Sequence, residues 1–129
     1  MMDKDMTQIH CTYCLKKVEA KAVYGSVIYP HRLDLHKKIF HVCPTCGNYV
    51  GSHADGRPLG TIPTPELRRW RNEVHHIIDE YWLPNNTAKR KELYADLSEF
   101  IGRRYHTAEL NTIAECRSVI EYYLQKYER

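Results

Sequence analysis

The sequence predicts an α+β fold: a small sheet of short antiparallel strands in the amino-terminal half, packed on a three-helix carboxy-terminal region. Three observations carry this expectation. Two C-x2-C pairs, Cys11/Cys14 and Cys43/Cys46, frame short β-branched and aromatic runs. A proline- and glycine-rich connection follows between His53 and Pro65. Beyond it, apolar residues recur every three to four positions, the period of an amphipathic helix. At 129 residues the chain has room for one compact unit, and 43% apolar with 27% charged residues is a folding rather than a disordered composition.

Taken in order, residues 1–8 lack periodicity and read as a flexible leader, and residues 9–60 as the cysteine-framed module. Runs at 21–24 and 27–29 flank Gly25-Ser26, which reads as a hairpin with a tight turn ended by Pro30. Residues 33–38 form a polar loop. The run 39–42 is a strand delivering the second cysteine pair, and 48–51 is its antiparallel partner.

Residues 61–129 form the helical region. Thr64-Pro65-Glu66 is a helix start: Thr64 can cap, proline loses no needed N–H at the first position, and Glu66 meets the positive end of the dipole. That helix, 65–83, places Leu67, Trp70, Val74, Ile77, Ile78 and Tyr81 on one face, and Pro84 closes it. A second, 87–101, turns Leu93, Leu97, Phe100 and Ile101 to the core and stops at Gly102. After an extended stretch to Leu110, a third at 112–127 aligns Ile113, Cys116, Ile120, Tyr123 and Leu124. Cys116, in a core-facing slot, reads as a small hydrophobe.

The cysteine spacing is the most specific signal. Two residues between cysteines let one tight turn aim both sulfurs at a point, and two such turns complete a tetrahedron around one structural Zn2+ ligated by Cys11, Cys14, Cys43 and Cys46. Gly47 suits the left-handed position such a turn requires. Iron in a similar cage remains an alternative, whereas a redox C-x-x-C would need a βαβ context that is absent. With four thiolates the shell is closed, so the metal supplies folding energy rather than catalysis, and His10, His41 and His53 are not needed as ligands.

Apolar runs of four or five residues are far short of the roughly 20 that span a membrane, and the first residues lack the plan of a signal peptide. The expectation is a cytoplasmic protein in a bacterial cell, with no membrane partner and no evident small-molecule substrate. The formal net charge is +3; four thiolates around a dication contribute −2, leaving about +1, so bulk charge does not choose a partner.

Beyond the cysteine frame stand Asn48-Tyr49-Val50-Gly51-Ser52-His53, Pro58-Leu59-Gly60-Thr61 and Glu66-Leu67-Arg68-Arg69-Trp70-Arg71, then His75, Asp79 and Trp82. On these residues the chain over 11–82 resembles an uncharacterised family of phage and bacterial zinc-finger-containing proteins. Pro63-Thr64-Pro65 and Ile78 depart from that pattern without touching the cysteines. The resemblance implies a phage or prophage setting and carries no biochemical activity with it.

Arg68, Arg71, His75, Asp79 and Trp82 fall on one strip beside the apolar face of the first long helix. One reading is an anion site, joined by His53; the other is that these residues tie the helix to the zinc module, with Arg68 and Arg71 bonding loop carbonyls and His75 satisfied at the interface. Lys16 and Lys17, with tyrosines interleaved, extend the basic surface of the metal module. The resulting expectation is a non-enzymatic zinc-ribbon protein contacting nucleic acid. An alternative is a module that binds or inhibits a host or phage protein, and a third is a metal-dependent nuclease or hydrolase using His53, His75 and Asp79.

Overall fold

The computed structural model describes residues 6–128, and the chain divides into two compact units that meet between Pro65 and Glu66. The first unit is a four-stranded antiparallel sheet in the order β1-β2-β3-β4, with β1 Met6–Cys11, β2 Lys16–Tyr24, β3 Ile39–Val42 and β4 Tyr49–Gly51. Alternation decides which face is buried. Ile9 and Cys11 of β1 and Val18 and Ala20 of β2 point inward, and they pack with Cys43, Val50 and Ile62. That is a small core for a sheet, which leaves a role for a metal staple.

Two expectations fail in this unit. Residues 6–8, assigned to the leader, open β1 by pairing with Lys21, Ala20 and Glu19; residues 1–5 lie outside the described residues. Lone strands show no pattern until their partner is known, and Thr7 and Gln8 are polar enough to hide one. The Gly25-Ser26 hairpin is also absent. Strand β2 runs straight through 21–24 to pair with β3, and Gly25–Ile28 is a single helical turn, α1, that begins the long connection to Ile39. A Cβ at Gly25 would lie 1.8 Å from the Leu35 carbonyl oxygen, so this glycine serves close backbone approach, not a hairpin.

The segment after β4 is ordered by the sheet. Ser52 bridges Pro58, Leu59 N donates to Gly51 O at 2.9 Å, and Ile62 exchanges backbone hydrogen bonds with His10 and Thr12 across the free edge of β1. Ile62 therefore belongs to the sheet core, and the break falls after it, at Pro65.

The second unit is helical: α2 Pro65–Ile78, α3 Thr87–Ile101 and α4 Ile113–Tyr127. α2 ends before its predicted limit, giving way to a 3-10 turn at Asp79–Tyr81. Its neighbours follow their capping chemistry. The Asn86 side chain accepts from Lys89 N, Gly102 takes a left-handed φ of 78°, and Thr112 Oγ1 accepts from Glu115 N. Leu67, Val74, Ile78, Leu93, Leu97, Cys116 and Tyr123 meet in one core, together with Tyr105, Leu110 and Val119. Phe100 and Leu124, placed in the core by periodicity, are instead 42% and 40% exposed, with Phe100 stacked on Tyr122 at 4.2 Å between ring centroids.

Candidate metal centre

The four cysteines sit on two chain reversals at one end of the sheet. Cys11 closes β1, Cys14 lies in the turn before β2, and Cys43 and Cys46 occupy the turn between β3 and β4. Two strands and one reversal, the β2–β3 connection, separate the turns, so the antiparallel order returns the second pair to the end that holds the first. Each turn is drawn tight by the same bond: Leu15 N donates to Cys11 O at 2.8 Å, and Gly47 N to Cys43 O at 3.0 Å. We call these turns knuckle 1 and knuckle 2.

The sulfurs converge. All four Sγ atoms lie within 4.8 Å of one another, with Cys11 and Cys46 3.6 Å apart and Cys14 and Cys43 3.8 Å apart. Sulfurs about 2.3 Å from a common centre form a tetrahedron with edges of about 3.8 Å, which these separations match; a disulfide needs about 2.0 Å. The donor set therefore fits one zinc ion in a closed four-thiolate shell, and the site is structural.

The surroundings favour thiolates unevenly. Burial alone raises Cys43, but the backbone N–H groups of Cys46 and Thr45 outweigh it and bring the thiol down to about 7. Loss of water pushes Cys14 up to about 12, its contacts with the Cys43 and Cys11 thiols adding to the rise, and burial also raises Cys11. A bound dication overrides the cost of ionising the thiols that burial raises. Around the shell, Asn48 Nδ2 donates to Cys46 Sγ at 3.3 Å. Thr12 N donates to Ile62 O at 2.9 Å and Thr64 N to Thr12 Oγ1 at 3.2 Å, tying knuckle 1 to the chain's exit from the sheet. Asn48 and Ile62 carried no metal signature in the sequence. The asparagine two residues after Cys46 was the available clue.

The other candidate residues divide between the two units. Lys16 and Lys17 are exposed at the start of β2, paired in register with Cys11 and His10, and so flank the metal centre. His53 is exposed in the same unit, in a turn where its N–H donates to Arg57 O at 2.7 Å. In the helical unit, His75 Nδ1 lies 3.3 Å from Asp79 Oδ2, and Trp82 Nε1 donates to Asp79 Oδ1 at 3.1 Å. The carboxylate therefore orients the imidazole, as their one-turn spacing suggests. Arg68 is half-buried. Arg71 is 5% exposed, inside the helical core, and its Nε donates to Leu110 O at 3.0 Å. Burial lowers its guanidinium to about 10, partly offset by Cys116, Glu109 and Glu115, so it stays charged at neutral pH. It ties α2 to the chain before α4, a carbonyl of the helical unit, whereas the sequence reading places the arginine bonds on the metal module. His41 is also buried, its ring Nε2 2.9 Å from Gly56 O.

Among the described residues, the four cysteines are the one group of three or more histidine, cysteine or acidic side chains placed to share an ion. No helix is long and apolar enough to cross a membrane among those residues. No curated protein and no solved structure matches the chain. A family model described as a zinc-finger-containing domain matches residues 7–125, extending beyond residues 11–82 at both ends and including both knuckles. With the four-thiolate geometry on one side and a match over nearly the whole sequence on the other, the chain belongs to this family of zinc-finger-containing domains.

Proposed function

We propose that the zinc-stapled sheet is a non-enzymatic binding module whose knuckle 1 contacts nucleic acid, in the setting of a phage or prophage accessory factor within the bacterial cytoplasm. The observation that supports this most is the tip of knuckle 1. Tyr13 is 65% exposed and Leu15 78% exposed, and Lys16 and Lys17 follow directly, both exposed. Leu15 moreover holds a left-handed φ of 60°, a conformation that costs a side-chain-bearing residue about 1–2 kcal/mol. A leucine kept there without burial gains nothing for the fold. Its use lies in contact with something else.

The chemistry of the tip suits a nucleic acid: an aromatic ring stacks on a base while lysines meet phosphates. Zinc-loaded protein should bind labelled DNA or RNA with an affinity that falls as salt rises, and Lys16→Gln/Lys17→Gln should flatten that dependence. Affinity indifferent to salt, or no binding at low salt, overturns the reading. The exposed Leu15 also favours a second reading, a protein partner. In that case Leu15→Ser abolishes capture of the partner, whereas Lys16→Gln/Lys17→Gln leaves it unchanged.

A further inference from the structure

Away from the knuckles, the first unit carries a groove between the β2–β3 connection and the segment that follows β4. It consists of two adjoining cavities of about 310 and 360 Å³ that share Lys38, Ile39 and Ser52. The two halves differ in chemistry. The first has an apolar floor of Leu35, Phe40 and Leu59, with Tyr29 edge-on to Phe40 at 5.7 Å between ring centroids. Gly51 lines it too, and a Cβ there would come within 3.3 Å of Leu59 Cδ1, so the missing side chain keeps this slot open. The second half is lined by Lys37, Lys38 and His53.

Charge pairing separates these lysines from the nearby arginines. Arg32 is held in a two-point ion pair with Asp34 at 2.9 and 3.0 Å, and Arg57 pairs with Asp55 at 2.7 Å. Both guanidinium charges are therefore matched locally. Lys37 and Lys38 are exposed and have no ion-pair partner among the described residues. The groove thus sets an apolar slot bordered by aromatic rings directly beside two lysines that stand outside any close ion pair, Lys38 lying near enough to Asp34 to help lower its carboxyl.

We infer that this groove takes one nucleotide of a single-stranded nucleic acid, with its base in the Leu35/Phe40/Leu59 slot and its phosphate against Lys37 and Lys38. The inference rests on the nucleic-acid reading above and adds to it a second contact on the same unit and a choice of strand state. Its physical basis is that a base and its phosphate are joined at short range, apolar face beside anion, as the two halves of the groove are. A duplex keeps its bases stacked and paired, and offers no free base to the slot. Leu59, 41% exposed, forms part of the slot and can be enlarged without burying a new residue.

The experiment is fluorescence anisotropy of the zinc-loaded full chain with a labelled oligothymidylate and, separately, a duplex of the same length. The single strand should bind at least tenfold more tightly. Lys37→Gln/Lys38→Gln should weaken it and reduce the steepness of its salt dependence by about 0.7, the share of the one phosphate the two lysines neutralise. Leu59→Trp, which fills the slot, should weaken it with the steepness unchanged; zinc content confirms that each variant is folded. Photo-cross-linking of a bromodeoxyuridine oligonucleotide should label Tyr29 or Phe40, and labels confined to other peptides overturn the inference. Unaltered binding by the lysine variant, or equal affinity for the duplex, overturns the groove while leaving knuckle 1 standing. No binding of either oligonucleotide by the unaltered protein removes both.

Discussion

Knuckles 1 and 2 make the same turn from different residues. In Cys11-Thr-Tyr-Cys14-Leu15 and Cys43-Pro-Thr-Cys46-Gly47, the first cysteine is buried, the second half-buried, and the residue after it is left-handed, with φ of 60° at Leu15 and 79° at Gly47. Knuckle 2 meets these demands in the way that costs least. Glycine takes the left-handed position, Asn48 donates to a ligand sulfur, and backbone N–H groups lower the Cys43 thiol. Knuckle 1 instead places a leucine on the strained position and exposes a tyrosine. One turn is shaped for holding the metal, while the other holds the metal and also presents a surface.

The comparison breaks completely if the staple is removed. Cys43→Ser should abolish zinc retention and unfold the sheet, because apparent metal-binding energies of about 10–16 kcal/mol in small zinc modules are also folding energy. The helices from Glu66 onward have their own core and should keep their circular dichroism. Zinc quantification and amide exchange over residues 6–62 check this. A retained sheet would mean that the small cluster of Ile9, Val18, Ala20, Val50 and Ile62 suffices alone.

Acid should act through the same ligands. Zinc holds its thiolates ionised, so the stability it supplies is present at high pH and lost as pH falls and protons return. The sheet unfolds without the ion, so the competing state is an unfolded chain whose cysteines have the ordinary thiol pKa of about 8.5, and below that pH zinc must displace a proton from each of them. The slope of log affinity against pH should therefore steepen toward about four below about pH 8.5, measured by competition with a chromophoric chelator. Cys43→Ser removes this steepening along with the site.

What the sequence conveyed follows from the range of each interaction. The ligand set, the left-handed Gly47, the stop at Gly102 and the start of α4 after Thr112 are local chemistry, and each stands in the structure. The Gly25-Ser26 turn was misread because its residues suit a hairpin equally well; what decides is that β2 must continue to reach β3. Burial depth was invisible for similar reasons. Periodicity aligned Arg71 beside the apolar face and Phe100 and Leu124 on it, but only the neighbouring chain determines that Arg71 is covered and the other two are not. The tip of knuckle 1 was legible as lysines and a tyrosine. The strain at Leu15 was not, since a backbone angle has no composition.

Smaller effects sharpen the contrast between the turns. Asn48→Ala removes the one side-chain amide on a ligand of knuckle 2, and loss of such a supporting bond costs about 10- to 100-fold in metal affinity. Gly47→Leu gives knuckle 2 the residue of knuckle 1. Nothing lies within 4 Å of a Cβ at that position, so no clash enters and only the left-handed backbone opposes it, by about 1–2 kcal/mol. The stiffer unfolded chain of leucine returns about 0.5–1 kcal/mol of this, so chemical denaturation of the zinc-loaded protein should show a net loss of at most about 1.5 kcal/mol. A cost well above it would mean that the space around the two turns differs as well as their residues.

The reverse exchange, Leu15→Gly, should have the least effect on stability. Relief of the left-handed strain returns about 1–2 kcal/mol, while the freer unfolded chain of glycine takes back about 0.5–1 kcal/mol. At 78% exposure the leucine side chain has little buried contact to lose. The zinc-loaded variant should therefore be as stable as the parent or more so by up to about 1.5 kcal/mol, and its affinity for nucleic acid should fall. Stability gained with binding lost is the signature of a residue kept for contact rather than for the fold. If stability instead drops by more than about 1 kcal/mol, Leu15 is packing on something that its exposure hides, and knuckle 1 returns to being a metal turn like its counterpart.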